Sequence, residues 1–254
     1  MIEHYIRFQT EGEINYGLVD GSNVKVLDRP YWLGGRPTGE NRDMREVRLL
    51  CPVEPSKIIL VGLNYHTHVQ HSQSAKEAPK NPVLFLKPPS ALLPPGGDIV
   101  YPDGVDRVDY EAELALVIGK KGRAVPMENA AEHIFGYTCL NDVTARNIQK
   151  ADGQWTRGKG FDTFCPIGPH VVRGVNASDL AVEAYLNGQR KQSGRTSGMI
   201  FSIPFLVNFI STVMTLIPGD VISTGTPEGI DPMQRGDTIE VRIEKIGSLI
   251  NRIV

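Results

Sequence analysis

The strongest constraint on the fold is the segment DYEAELALVIG, residues 109–119, which places an acid at every second position of an otherwise apolar stretch. Residues two apart in a β-strand share a face, so Asp109, Glu111 and Glu113 line one side and apolar residues occupy the other. This spacing usually means a half-exposed strand with a solvated acidic face. The alternative is that these carboxylates hold a hard divalent cation, whose charge offsets their repulsion.

Short apolar or alternating runs bounded by turn signals recur along the chain and predict a fold that is mainly β with some helices. The alternation from Ile239 to Ile243 is the clearest of these runs. Helical periodicity is confined to residues 128–133, to a segment that begins near Asp142 and to the apolar stretch that begins at Met199.

A chain of 254 residues can form one large domain or a main domain with a small appendage. CPVEPSK, residues 51–57, carries two prolines directly before the apolar run KIILVGLNY, which favours a boundary there. We therefore expect a small N-terminal β domain at residues 1–52 and a catalytic domain at residues 53–254.

Composition narrows the classes of function. A formal charge of −2 offers no polycationic surface to nucleic acid or an anionic membrane, which leaves small-molecule chemistry or protein contacts. Three widely spaced cysteines without a CxxC pair indicate neither disulfides nor a thiolate zinc site, and they fit a cytoplasmic protein. Polar residues interrupt the stretch from Met199, which predicts an amphipathic core helix and no membrane span.

Three other segments carry candidate site residues. Asp142 follows a buried strand. It either supplies a third carboxylate to a cation site, or it or Asn141 caps the helix that is predicted to begin there. Lys159 stands between two glycines and is either a plain loop charge or a cation aimed at negative charge that develops in a cleft. STGTPEG, residues 223–229, predicts a turn whose N–H groups and hydroxyls receive a carboxylate, or a turn without a ligand.

A cluster of histidines, His66, His68 and His71, lies in LNYHTHVQHS. The spacing matches no common zinc pattern and no cysteine lies nearby, so zinc is not favoured. One of His68 and His71 could act as a general base, and the alternative is a set of surface loop histidines.

Seven stretches, taken in order, resemble the fumarylacetoacetate hydrolase family, and the resemblance covers the chain from about Lys57 to the C-terminus. It implies a mixed β-roll catalytic domain behind a small β domain, a homodimer, and similarity to bacterial and archaeal acylpyruvases and 2-hydroxyhepta-2,4-diene-1,7-dioate isomerases. The seven stretches are GLNYHTHV, FLKPPSAL, DYEAELALVIG, LNDVTARN, WTRGKGFDTFCPIGP, SGMIFSIPFLVNFIS and GDVISTGTPEG.

The resemblance also implies the parts of an active site for a small 2-oxo acid. Lys159 matches the lysine near the substrate's oxo group, His68 matches the catalytic histidine, and Asp109 matches no ligand. The implied metal ligands, for Mg²⁺ or Mn²⁺ and sometimes Ca²⁺, are Glu111, Glu113 and Asp142. The implied substrate-binding residues are Thr226, Lys87, Arg146 and Gln149.

His71 departs from the family pattern, because hydrolytic members commonly have a glutamate three residues after the catalytic histidine. A carboxylate would hold the tautomer of His68 and stabilise its protonated form, whereas a second imidazole supplies no negative charge. His71 is a catalytic candidate, and the sequence leaves open whether His71 or Glu77, farther along the same segment, partners His68.

The chemistry implied by the family passes through a metal-held enolate of a 2-oxo acid. Hydrolytic carbon–carbon cleavage of an acylpyruvate or fumarylpyruvate is the first expectation. Isomerisation of a 2-hydroxyhepta-2,4-diene-1,7-dioate type substrate and decarboxylation of oxaloacetate are the alternatives, and neither needs a His–Glu pair. A metal- or ligand-binding relative without turnover is the third interpretation.

Overall fold

The computed structural model describes residues 1–67 and 78–254, in which strands outnumber helices and the prediction of a mainly β fold is confirmed. The strands are β1 Glu3–Thr10, β2 Glu13–Asp20, β3 Asn23–Leu27, β4 Pro37–Asp43, β5 Arg48–Leu49, β6 Ile58–Gly62, β7 Val83–Lys87, β8 Leu92–Leu93, β9 Asp98–Ile99, β10 Val108–Asp109, β11 Ala112–Ile118, β12 Ile134–Asn141, β13 Thr144–Ala145, β14 Cys165–Arg173, β15 Ala181–Leu186, β16 Gln189–Arg195, β17 Val221–Ser223, β18 Pro232–Met233, β19 Thr238–Ile243 and β20 Gly247–Ile253. The α-helices are α1 Ala130–His133, α2 Arg146–Asp152, α3 Thr156–Lys159 and α4 Ile203–Val213. Short 3-10 helices span Tyr31–Leu33, Met44–Glu46, Pro89–Ala91, Met127–Asn129 and Thr196–Gly198.

The largest sheet follows the order β4-β3-β2-β1-β14-β12-β11-β17-β6-β7, with β5 paired to β1 and β8 paired to β14. Two smaller sheets have the orders β13-β10-β18 and β16-β15-β19-β20-β9. Strand β1 pairs antiparallel with β14, with Tyr5 opposite Val171, so the N-terminal strands extend the sheet of the segment that follows them. The division at residue 52 stays a prediction.

The segment that begins at Asp109 forms two strands instead of one. Asp109 ends β10, which pairs with β13, whereas β11 begins at Ala112 in the largest sheet, between β12 and β17. Every residue of β11 is buried, so the solvated-face interpretation is wrong. The chain passes from one sheet to another at Tyr110 and Glu111, and this passage brings acids from both parts to the junction of two sheets.

Asp142 lies in the connection between β12 and β13, and the prediction of a helix that begins near it is wrong. Helix α2 begins at Arg146 with Ala145 as its N-cap, so neither Asn141 nor Asp142 caps it. The backbone stays extended because Thr144 and Ala145 pair with β10 before the helix starts. The amide of Asn141 has another role, since its Oδ1 accepts from the N–H of Glu111 at 2.9 Å.

Helix α4 confirms the amphipathic core helix that was predicted from Met199 onwards. Ser202 is its N-cap, and Pro204 stands in the first turn, where the N–H groups have no helical partner. None of the helices in the described ranges has the length and apolar character needed to cross a membrane. The buried residues of α4 are Ile203, Leu206, Val207, Ile210 and Ser211.

Candidate active site

Three carboxylates converge where β10, β11 and β12 meet. The antiparallel register sets Ala112 opposite Asn141, so Glu111 and Asp142, one residue beyond on each strand, are neighbours. Glu113 lies two residues along the same chain and faces the same point. One oxygen from each carboxylate lies within 4.8 Å of the others, and all three side chains are buried. The structure therefore brings together the predicted metal ligands.

Glu113 is held by neutral hydrogen-bond donors. The hydroxyl of Ser223 donates to its Oε2 at 2.5 Å, and the N–H of Gly225 donates to the same oxygen at 2.9 Å. Burial raises the pKa of Glu113 to about 8, and the carboxylates of Asp142 and Glu111 add to the rise. The turn after β17, which the sequence predicts to receive a carboxylate, thus binds the carboxylate of Glu113, a residue of the protein itself.

Lys159 ends α3 and is buried, so the interpretation of a plain loop charge is wrong. Its Nζ lies 3.1 Å from Glu111 Oε2, donates to the hydroxyl of Thr144 at 2.9 Å and forms an ion pair with Asp142. The ring of Phe85 covers it, with 4.8 Å from Nζ to the ring centroid. Burial alone would lower the pKa of Lys159, but the carboxylates of Asp142 and Glu111 outweigh burial and the pKa is raised.

Lys87 lies behind the carboxylates and does not line the cavity. Its Nζ is 2.7 Å from Asp142 Oδ1, and it donates to the carbonyls of Val143, at 2.9 Å, and of Phe164. The approach to Asp142 lacks hydrogen-bond geometry, so Oδ1 is buried without a hydrogen bond. Lys87 therefore supports Asp142, and its contact with substrate stays a prediction.

A cavity of about 210 Å³ opens above the three carboxylates. Apolar side chains of Val61, Phe85 and Trp155 form part of its wall. Arg146 and Gln149, two predicted substrate-binding residues, also line it, and Arg146 Nη1 donates to Gln149 Oε1 at 2.6 Å. The carboxylate triad thus faces a small space bounded by both apolar and charged groups.

Asp109 belongs to this site, although no ligand role was assigned to it. Its side chain is fully buried between two arginines, with Oδ1 2.7 Å from Arg107 Nε and Oδ2 2.8 Å from Arg146 Nε. Arg146 also donates to Glu111 Oε1 at 2.5 Å, so it orients a member of the triad. The available sequence signal was the acid-rich stretch RVDYEAE, in which Arg107 and Asp109 share the face of the metal ligands.

Comparison with known proteins identifies the family. Residues 57–254 match the family model described as fumarylacetoacetate (FAA) hydrolase C-terminal. The chain belongs to the fumarylacetoacetate hydrolase family. Residues 3–52 match a second model, described as Rv2993c-like, N-terminal.

Relatives within the fumarylacetoacetate hydrolase family have names that cover several reactions. The chain is similar to the crystal structure of 2-hydroxyhepta-2,4-diene-1,7-dioate isomerase from Mycobacterium marinum, with a TM-score of 0.92 and 39% identity over 99% of this chain and 98% of that one. It is 42% identical over 224 residues to oxaloacetate tautomerase YisK of Bacillus subtilis, which is 83% of this chain and 74% of that protein. Maleylpyruvate hydrolase from Sphingobium sp. SYK-6, in complex with manganese(II) ion and pyruvate, has a TM-score of 0.81 and 31% identity over 99% and 98% of the two chains. The chain is thus an enzyme-family member whose relatives are isomerases, tautomerases and hydrolases.

Thr226, in the TGTP turn that resembles the family's substrate-contacting turn, has its hydroxyl committed to the protein. It donates to the carbonyl of Ala112 at 2.9 Å and accepts from Gln192 Nε2 at 2.8 Å. Gln192 is fully buried, and its Oε1 accepts from the N–H of Ala112 at 2.9 Å. Sequence reasoning missed Gln192 because QRKQSGR has the composition of an exposed polar strand.

The donor set fits the divalent cation implied by the family resemblance. Hard carboxylate oxygens are the ligands that Mg²⁺ and Mn²⁺ prefer, and the triad offers one such oxygen from each of three buried side chains within 4.8 Å of one another. The buried triad and the manganese-bound relative together support a divalent metal at this point.

The predicted catalytic histidines His68 and His71, and the alternative partner Glu77, lie outside the described residues. Their roles stay predictions. His66, the third histidine of the cluster, is described and exposed.

Proposed function

We propose that this protein is a Mg²⁺- or Mn²⁺-dependent enzyme that interconverts the keto and enol forms of a small 2-oxo acid of the oxaloacetate type. The observation that carries the proposal is the buried ammonium of Lys159, held between Glu111 and Asp142 beside the cavity. A cation beside the oxo oxygen favours this reaction class, because loss of a proton from the adjacent carbon places negative charge on that oxygen.

A divalent metal at the triad would supply Lewis-acid polarisation of the 2-oxo acid. The protein's own groups keep this arrangement fixed. Ser223 and Gly225 orient Glu113, while Arg146 orients Glu111. The three N–H donors of Lys159 are used by Glu111, Asp142 and Thr144, so its contribution to an oxo oxygen that enters beside the triad is the positive charge, and burial strengthens that interaction by excluding water.

Keto–enol interconversion ranks before hydrolysis, which reverses the order that the sequence favoured. Interconversion needs only proton transfers, whereas hydrolysis also needs an activated water. The predicted base His68 would carry the proton transfer in either case. The tautomerase relative shares 42% identity with this chain, against 35% and 31% for the two relatives named as hydrolases.

Hydrolytic cleavage of an acylpyruvate or fumarylpyruvate is the second candidate. Its support is the hydrolase relative with bound manganese and pyruvate, because pyruvate is the fragment that such cleavage would release. If a missing carboxylate limits water activation, His71→Glu should raise acylpyruvate hydrolysis, while His66→Glu, the matched control, should not. An unchanged or lower rate in His71→Glu would count against the account in which the missing carboxylate limits hydrolysis.

The deciding experiment uses protein stripped of metal and then loaded with Mg²⁺ or Mn²⁺. Loss of enol oxaloacetate absorbance measures interconversion, and parallel assays follow acylpyruvate cleavage, oxaloacetate decarboxylation and isomerisation of 2-hydroxy-2,4-dienoates. We expect metal-dependent interconversion to be the fastest reaction. Faster acylpyruvate cleavage would establish the second candidate, and metal binding without any turnover would make the chain a binding protein. The homodimer and cytoplasmic location remain predictions.

A further inference from the structure

Two arginines meet at one part of the cavity because β10 pairs with β13. The N–H of Arg146 donates to the carbonyl of Arg107 at 2.8 Å, and Val108 lies opposite Ala145 in the same ladder. Both guanidinium groups line the cavity and contact the buried carboxylate of Asp109. The two side chains differ in how many of their nitrogens the protein already uses.

Arg146 is committed to protein groups through all three of its nitrogens. Nε donates to Asp109 at 2.8 Å, Nη1 donates to Gln149 at 2.6 Å and Nη2 donates to Glu111 at 2.5 Å. Its side chain is 11% exposed. Arg146 is therefore suited to fixing the triad and the helix that begins at its own position, more than to binding a second anion.

Arg107 keeps its two terminal nitrogens available. Its Nε donates to Asp109 Oδ1 at 2.7 Å, and in residues 1–67 and 78–254 neither Nη has a hydrogen-bond partner. The side chain is 45% exposed at the cavity. Because Asp109 fixes Nε, the guanidinium is held with its outer edge open, and that edge matches a carboxylate through two parallel hydrogen bonds.

We propose that Arg107 recognises the second carboxylate of a 2-oxo dicarboxylic acid, and that Asp109 positions it. The proposal rests on the proposed function, which places the 2-oxo acid end of the substrate at the triad. A continuous series of ion pairs, from Arg107 through Asp109 and Arg146 to Glu111, connects the proposed carboxylate site to the triad.

The expected discrimination is graded. Binding of a monocarboxylic ligand would be strongly weakened if it left a buried arginine without an anion. Arg107 is half-exposed, so water hydrates its guanidinium when the second carboxylate is missing, and the affinity falls less. A bidentate charge-assisted pair at such a position corresponds to a preference of about tenfold. Arg107 thus sets selectivity among 2-oxo acids and leaves the chemistry at the triad to other residues.

Calorimetric titration of the Mn²⁺-loaded protein tests this role with 2-oxoglutarate and 2-oxopentanoate. The two ligands have the same chain length and the same 2-oxo acid end, and they differ by a carboxylate against a methyl at the far end. We expect the wild type to bind 2-oxoglutarate about tenfold more tightly. Arg107→Gln should reduce this preference to within about twofold by weakening 2-oxoglutarate alone, and Arg107→Lys should give an intermediate value.

Arg195→Gln is the matched control. Arg195 is 49% exposed and lies 2.6 Å from Asp179, as an ion pair away from the cavity, so its replacement should leave the preference unchanged. Equal binding of both ligands by the wild type, or equal weakening of both in Arg107→Gln, would overturn the inference and leave the proposed function standing. Failure of both ligands to bind would overturn the inference, and if enol oxaloacetate is also not turned over, the proposed function fails with it.

Discussion

Gln192 and Thr226 meet in a buried hydrogen bond of 2.8 Å that ties β16 to the turn after β17. Thr226→Val would remove this acceptor and also the donor to the carbonyl of Ala112. Leaving buried polar groups unpaired costs about 1–3 kcal/mol. We expect Thr226→Val to lower the free energy of unfolding by about 2 kcal/mol in urea titrations, and Thr226→Ser, which keeps the hydroxyl, to lower it by less than about 1 kcal/mol. Equal losses would show that the methyl group contributes as much as the hydroxyl.

Glu113→Gln should abolish stabilisation by metal with little effect on the metal-free protein. The pKa of Glu113 is raised to about 8, so at pH 7 its carboxyl is mostly protonated without metal and an amide replaces it closely. Thermal unfolding with and without Mn²⁺ measures both effects. Glu132→Gln, at an exposed carboxylate paired with Lys120, should retain the full metal-induced rise in Tm. Full activity of Glu113→Gln would place the metal elsewhere.

Lys159→Met should destabilise the metal-free protein and increase its response to metal. Without the ammonium, the buried carboxylates of Glu111 and Asp142 lose their nearest positive charge, and breaking such a pair costs about 3–5 kcal/mol. A divalent cation replaces that charge, so the Mn²⁺-induced rise in Tm should exceed that of the wild type while turnover is lost. Lys120→Met, at an exposed lysine, is the control. A smaller metal response in Lys159→Met would contradict this account.

His170 should make stability depend on pH where the N-terminal strand joins the sheet. Its ring lies 4.6 Å from that of His4 between centroids, and burial is the main cause that lowers its pKa. The unfolded chain binds a proton near the ordinary pKa of about 6.5, whereas the folded chain does so only at lower pH. The stability contribution is therefore complete above that value and is lost as pH falls through the folded-state pKa.

Urea unfolding of metal-free protein between pH 7.5 and pH 5 tests this sign. We expect the free energy of unfolding to fall on acidification in the wild type and to fall less in His170→Gln, whose amide still donates to the carbonyl of Ile246. His66→Gln, at an exposed histidine, should keep the wild-type slope. A slope unaffected by His170→Gln would assign the acid sensitivity to other groups.

The sequence predicted the β-rich fold and the convergence of Glu111, Glu113 and Asp142. Both predictions can be made from short stretches of sequence, the first from the alternation of apolar residues and the second from the resemblance to the family. It failed where extended structure depends on distant partners. Asp142 precedes a short strand instead of a helix because Thr144 pairs with β10, a pairing that no local propensity records. The solvated-face interpretation of β11 failed for a related reason, since β12 and β17 flank a strand whose two faces are both buried.

Residues that support the site were the hardest to predict. Ser223 orients Glu113 from 110 positions away, and Gln192 reaches Ala112 from 80 positions away. Serine and glutamine are polar, and the sequence around these two positions does not indicate that either side chain is buried. Arg107 was within reach of sequence reasoning, because it stands two residues before Asp109 in the same acid-rich stretch, but its open guanidinium edge follows only from the hydrogen bonds of the folded chain.

The pairing of β1 with β14 has a consequence for the order in which the chain is assembled. Synthesis delivers β1 long before Cys165, where β14 begins, so the part of the β1 edge at Glu3–Tyr5 must pass that interval uncovered, while β5 pairs with Phe8 and Gln9 farther along the same edge. An uncovered strand edge recruits other chains. The nascent N-terminal segment is therefore the point at which aggregation during translation should start, and truncated chains that end before residue 165 should require a chaperone to stay dispersed.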